Sequence, residues 1–265
     1  MTSAETQRDT PDAPPSGLPA LTFHNPLSEE RATRIVARLA AARPTSVLDV
    51  GCGWAELMLR VLEAAPQAHG TGIDLRGEDL LRAGERARER GLAARVRLYE
   101  ESARGTERGP ADVVLCGGSG QALADPEAPD YLPRLFAELR RLVNPGGRVL
   151  LGEGFFTRTP GAEELARLWP GAEPDDHPSL GALVDAAVAG GFRPLWTETA
   201  SASEWEEFES GYRAAGEEWL ALHPGHPEAD AVRERLDAQR AFWLDGHLGL
   251  LGIAWLTLVP VGRVG

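Results

Sequence analysis

The sequence predicts an α/β fold built on a mostly parallel sheet, and three observations carry that prediction. From about Leu27 onward, short β-rich runs alternate with longer amphipathic stretches. A glycine turn, Gly51-Cys52-Gly53, joins the first such run to the helical pattern behind it. An acidic residue, Asp74, closes the second run. In a sheet of this kind ligands bind beyond the carboxyl ends of the strands, so the residues just after each strand are the ones to read for function.

The elements follow in order. Ser28 ahead of Glu29 and Glu30 reads as an N-cap with acidic first-turn residues, and Ile35, Val36 and Leu39 give that helix its apolar face. Pro44 ends it. Ser46 to Val50 is a short buried strand, and the helix after the glycine turn carries the stripe Leu57, Met58, Val61, Leu62 and Ala65. Gly72 to Leu75 ends a second strand, a helix spans about Glu78 to Arg90, and Val96 to Tyr99 is a third strand. The β-branched run Asp112 to Leu115 leads into Gly117-Gly118-Ser119-Gly120. A helix with Leu132, Leu135, Phe136, Leu139 and Leu142 on one face is stopped by Asn144-Pro145-Gly146-Gly147, and Arg148 to Leu151 is the fifth strand. A helix from about Leu180 to Val188 ends at Gly190-Gly191, Pro194 to Thr199 is the sixth strand, and Ile253 to Val259 is the last. Between these final strands Trp205, Phe208, Tyr212, Ala215 and Trp219 recur at helical spacing, as do Val232, Leu236, Gln239, Trp243 and His247. Two inserted helices are expected there, joined by the turn His223 to Pro227.

Composition narrows the function. The formal net charge is -13, and all 27 basic residues are arginine, with no basic cluster interleaved with aromatics. Such a chain repels polyphosphates, which disfavours a nucleic-acid substrate. Cys52 and Cys116 are the two cysteines and share no metal-ligand spacing, so neither a disulfide framework nor a zinc site is expected and a reducing cytoplasm fits. The longest apolar stretch, Leu248 to Val259, is well short of the roughly 20 residues of a membrane helix. Residues 1–20 are polar and rich in Pro, Ser and Thr, without a signal-peptide core, and read as a disordered tail. The rest, 21–265, reads as one domain with a helical cover over 201–249.

The first two strand ends carry the chemistry. Glycines at 51 and 53 let the backbone approach a ligand, and the next helix offers its N-terminus. Asp74 lies 21 residues beyond Gly53, close to the roughly 20 at which a carboxylate meets a ribose diol. Together, in this order, they indicate an adenine-nucleoside site. A nicotinamide-dependent oxidoreductase is the competing reading. Against it, Glu56 stands where the helix N-terminus would face a pyrophosphate, and a chain without lysine has no Tyr-x-x-x-Lys pair.

These segments resemble the class I S-adenosylmethionine-dependent methyltransferases: VLDVGCGWAEL their first motif, GIDL the second, DVVLCGGSGQAL the fourth-strand motif and NPGGRVLLGEGFF the fifth strand. The resemblance spans roughly residues 22 to 200 and implies a Rossmann-like seven-stranded sheet whose final strand is antiparallel, with S-adenosylmethionine as cofactor. It implies that Gly51 and Gly53 pass the methionine moiety, that Asp74 accepts from the ribose hydroxyls, that Glu101, Ser102 and Ala103 edge the adenine, and that Gly117 lies near the amino-acid end. Asp49, Cys52 and Leu75 complete the cofactor candidates, with capping of local amides the alternative for Asp49 and simple burial that for Cys52. The third small position of the loop is Ala55, which fits if the backbone there is already helical.

Methyl transfer is an in-line displacement that needs alignment, desolvation and sometimes a base. Glu153, Gln121 and His24 are the candidates for that chemistry, a salt bridge being the alternative for Glu153, and His247 is a further candidate base or substrate contact. Trp54, Ser119, Phe155, Phe156, Tyr212, Trp219 and Trp243 are the expected substrate walls, although a line of rings at helical spacing also serves as core. The expected acceptor is a small apolar or aromatic molecule of specialised metabolism. A methyltransferase fold that binds cofactor or a partner without transferring a methyl is the other class of reading. The oligomeric state stays open, a homodimer included.

Overall fold

The computed structural model describes residues 14–15 and 21–262, so the expected tail, 1–20, lies outside the described residues apart from 14–15. Seven strands form one sheet: β1 (Ser46–Val50), β2 (His69–Asp74), β3 (Val96–Glu100), β4 (Ala111–Gly117), β5 (Val143–Phe156), β6 (Phe192–Thr199) and β7 (Leu251–Pro260). Their order is β3-β2-β1-β4-β5-β7-β6. The first five strands run parallel, and β7 lies antiparallel between β5 and β6.

Alternation along the strands sorts side chains onto two faces. Val47, Val113, Leu115 and Leu150 pack against α1 (Glu29–Ala40), α2 (Glu56–Ala64) and α3 (Gly77–Glu89). Leu48, Val50, Val114, Cys116, Val149 and Leu151 pack against α4 (Tyr131–Leu142) and α6 (Leu180–Ala189). A four-residue helix, α5 (Ala162–Leu165), which the periodicity does not reveal, belongs to a segment that covers Phe156 with Leu168.

Two helices lie between β6 and β7, as their aromatic spacing predicts: α7 (Ala202–Leu222) and α8 (Ala229–Ala241). They share a small core of Trp219, Ala229, Val232 and Leu236, and Gly216 lets Leu236 approach the α7 backbone. The expected helical spacing fails at its end. Phe242–His247 is a π-helical turn, whose larger number of residues per turn shifts Trp243 and His247 off the α8 stripe.

Glu204 fastens this insertion to the start of α1. It completes a capping box with Ser201 at the start of α7 and accepts hydrogen bonds from the Ser28 backbone and hydroxyl and from both Nε and Nη2 of Arg31. Burial pushes its carboxyl upward, but the Arg31 contact and the Ser201 and Ser28 donors outweigh that and hold it at about 2. The depressed value means that its contribution is present above the unfolded carboxylate range and is lost as pH falls toward 2. Glu204→Ala should therefore cost about 3 kcal/mol near neutrality, as expected when one partner of a buried pair is removed. Denaturant melts from pH 7 to 2 should show part of the acid sensitivity disappearing in the variant.

Candidate active site

The strand order reverses direction between β1 and β4, and a cavity of about 770 Å³ opens there beyond their carboxyl ends. Its floor is the turn after β1. Gly51 (φ +62°) and Gly53 (φ +51°) both occupy the left-handed region, and a Cβ on Gly51 would lie 2.5 Å from that of Ser119. Ala55 is left-handed too, at φ 57°, so the condition of a helical backbone at the third small position is not met: this alanine adopts a conformation ordinarily given to glycine. Asp74, at the end of β2, accepts from the Gly53 N–H at 2.7 Å and the Arg76 N–H at 2.9 Å, which ties the turn to the neighbouring strand. Asp49 lies beneath, 6% exposed, its carboxyl pushed up to about 8 by burial and by Asp74. Burial also raises the Cys52 thiol, with Asp49 and Asp74 adding to it, which fits an inert side chain.

Most of the expected cofactor residues converge. Asp49, Gly51, Cys52, Gly53, Asp74, Leu75, Glu101, Ala103 and Gly117 all line the cavity. Glu101 reaches it while paired with Arg108 at 2.9 Å. Ser102 does not line it; this exposed side chain accepts from the Arg104 N–H instead.

The expected catalytic and wall residues divide. His24, Gln121, Trp54, Ser119 and Tyr212 face the cavity; Glu153, Phe155, Phe156, Trp219 and Trp243 do not. Glu153 shares its face of β5 with Leu151 and Phe155, the face turned toward α4. Its carboxylate accepts from the Tyr131 hydroxyl at 3.0 Å, beneath the turn that carries Ser119 and Gln121, and burial raises its pKa. Phe156 packs on Leu168, and Trp219 belongs to the α7–α8 core, two helical turns (about 10 Å) beyond Tyr212. Trp243 lies under the Arg213 guanidinium.

Sequence reasoning does not single out Phe23, Asn25, Asp79 or Glu209, all of which line the cavity. Phe23 and Asn25 lie on a non-repetitive strap ahead of α1, where no periodicity marks them. Its backbone is pinned by two indoles, Trp54 donating to the Thr22 carbonyl at 2.8 Å and Trp255 to that of Pro26 at 3.3 Å. Asn25 donates to the Gly117 carbonyl at 3.1 Å. His24 stacks between Trp54 and Tyr212, with centroids 4.7 and 5.8 Å away, while Arg82 covers the Trp54 ring at 4.3 Å. Burial lowers the His24 pKa, so the neutral ring is the form that fits this stack.

Glu56 requires a further correction. Its carboxylate is 4% exposed and clamped by Arg60, Arg86 and Arg90, and against the upward push of burial Arg90 and Arg60 lower its pKa. A charge neutralised by three guanidiniums gives no repulsion toward a pyrophosphate, so that argument against a dinucleotide lapses.

Comparison with known proteins discriminates where that argument fails. Residues 47–147 match the model of a methyltransferase domain family. The chain is 28% identical over 216 residues to the uncharacterized protein YjhP of Escherichia coli, covering 81% of this chain and 84% of that one. Its fold superposes with a TM-score of 0.78 and 26% identity on an S-adenosylmethionine-dependent methyltransferase from Geobacter sulfurreducens, solved with S-adenosylhomocysteine, across 91% of this chain and 94% of that one. A ubiquinone/menaquinone biosynthesis C-methyltransferase from Sinorhizobium fredii is 30% identical over 126 residues, 44% of this chain and 46% of that protein.

The contact between the loops after β1 and β4 can be tested directly. Gly51→Ala should combine left-handed strain with a Cβ 2.5 Å from that of Ser119 and lower the melting temperature by several degrees, about 1–3 kcal/mol. Calorimetry measures the shift, and Gly105→Ala, which has a similar φ of +70° but no atom within 4 Å of the added Cβ, isolates the steric part.

Proposed function

We propose, from the premise that the chain is a class I S-adenosylmethionine-dependent methyltransferase, that it methylates a small apolar or aromatic molecule held between the glycine turn and the inserted helices. The observation that carries this reading is the convergence of Gly51, Gly53, Asp74 and Glu101 with Phe208, Glu209, Tyr212 and Gln239 around one cavity. The first set fits a nucleoside with an amino-acid tail: an open backbone cradle at Gly53 and a strand-end carboxylate already held by two N–H groups. Asp74 would hold the ribose, Glu101 and Ala103 would edge the adenine, and Asp49 and Gly117 would border the amino-acid end. When bound, S-adenosylmethionine supplies an electrophilic methyl on a sulfonium that departs as a neutral thioether.

The chain's own residues supply alignment and dryness. The strap bearing Phe23, His24 and Asn25 closes one side, and its stack on Trp54 and Tyr212 joins it to the cover. Gln121 and Ser119 present polar groups from the turn after β4, while Glu153 positions that turn from below through Tyr131 rather than acting as a base. Among the described residues no helix is long and apolar enough to cross a membrane. Two free cysteines, one of them buried, support a reducing cytoplasmic setting.

Isothermal titration with S-adenosylhomocysteine, S-adenosylmethionine and NADH tests the reading. Both adenosyl ligands should bind and NADH should not. Asp74→Ala should weaken the adenosyl ligands about a hundredfold, the loss of two charge-assisted ribose hydrogen bonds. Binding of NADH alone, or equal affinity in the variant, overturns the assignment.

The strap makes a second prediction. The lowered His24 pKa gives a stability contribution present above the ordinary histidine value of 6.5 and lost as pH falls below it. Proteolysis between Phe23 and Ser28 should accelerate from pH 7.5 to pH 5.5, and His24→Phe should remove that pH dependence.

A further inference from the structure

Among the described residues, three of the five buried carboxylates are matched to arginines; Asp49, beneath the glycine turn, and Glu209, on the cover, are not. Glu56 is held by three guanidiniums, Glu204 by Arg31 and Asp79 by Arg76. Glu209, on α7 and 7% exposed, has no arginine on its carboxylate among the described residues. Its Oε1 lies 3.0 Å from Nε2 of His247, a residue 3% exposed and wedged against the Trp205 and Phe242 rings at 5.1 and 5.0 Å. The arginine next along the helix is diverted: Arg213 donates to the Glu209 backbone carbonyl, and its guanidinium covers Trp243.

Glu209 thus lines the cavity as a buried acidic residue held by His247, together with Phe208 and Tyr212, whose rings lie 5.8 Å apart. Arg76, the one arginine in the lining among the described residues, already pairs with Asp79 at 3.2 Å. Among the described residues, an anionic acceptor would meet carboxylates and no uncommitted arginine, whereas a cation would meet a carboxylate in an aromatic wall. Resting on the methyltransferase reading above, we propose that Glu209 anchors an amine on the acceptor, which is therefore an amine-bearing aromatic or apolar molecule.

The same contact prepares the nucleophile. An ammonium has no lone pair to offer, so one N–H bond must break with its electron pair left on nitrogen. The proton passes to a Glu209 carboxylate oxygen, leaving a neutral amine and a neutral carboxyl. His247 is a positioning residue, holding the carboxylate against rotation from behind the wall.

Three probes that differ chiefly in charge test the proposal: tyramine, tyrosol and 4-hydroxyphenylacetate, each titrated calorimetrically into the full chain saturated with S-adenosylhomocysteine. Tyramine should bind about tenfold more tightly than tyrosol, and 4-hydroxyphenylacetate most weakly. In Glu209→Gln, which keeps the side chain's shape, the advantage of tyramine should vanish while tyrosol and S-adenosylhomocysteine bind as before. Equal or tighter binding of 4-hydroxyphenylacetate, an unchanged tyramine preference in the variant, or no binding of any probe to the saturated protein overturns the amine assignment. Failure of S-adenosylhomocysteine itself to bind instead overturns the methyltransferase reading, so the two failures are separable.

Discussion

The close approach of Gly51 to Ser119 is the constraint on which the site depends. Strands β1 and β4 are neighbours, so the loops leaving them start side by side, and a cavity between them requires both to turn sharply outward. Gly51 does so in the left-handed region, and the Ser119 hydroxyl donates to the Val50 carbonyl at 2.6 Å, sealing the joint. Asp74 then draws the Gly53 N–H toward β2 and completes the floor. Asp74 and Ser119 at these strand ends are each bonded to backbone groups, which fixes the shape of the cavity floor.

Around that floor the protein solves a charge problem with one tool. This chain of net charge -13, which lacks lysine, neutralises the buried Glu56, Asp79 and Glu204 with guanidinium groups, whose forked donors suit two oxygens at once. Glu56 locks α2 to α3 through Arg86 and Arg90, and Glu204 locks the cover to α1 through Arg31. Glu56 lines the cavity with its charge already clamped, whereas Glu209 lines it bonded to a histidine instead.

How much of this was legible varied with the kind of signal. Strand-end residues were readable because parallel topology places them together whatever the loops do: Gly51, Gly53, Asp74 and Gly117 all reach the cavity. Glu153 and Phe155 were misplaced because proximity to a strand end does not say which face a side chain takes. Their parity with Leu151 puts them toward α4, whereas Leu150 borders the cavity. Along α7 the aromatic stripe located the helix but could not mark where it passes the cavity, so Tyr212 lines it and Trp219 lies in the α7–α8 core.

The sequence by itself determined the sheet, the glycine turn, the carboxylate after β2 and the presence of two inserted helices, because each rests on local periodicity or backbone geometry. Only the tertiary structure decided which groups meet across long chain separations. Those are His24 with Tyr212, Glu204 with Arg31, and Glu209 with His247 through the π-helical turn that ends α8. The physical reason is that local propensity is written in neighbouring residues. The partner of a buried polar group, by contrast, is set by the packing of whole elements, which no short window of sequence contains.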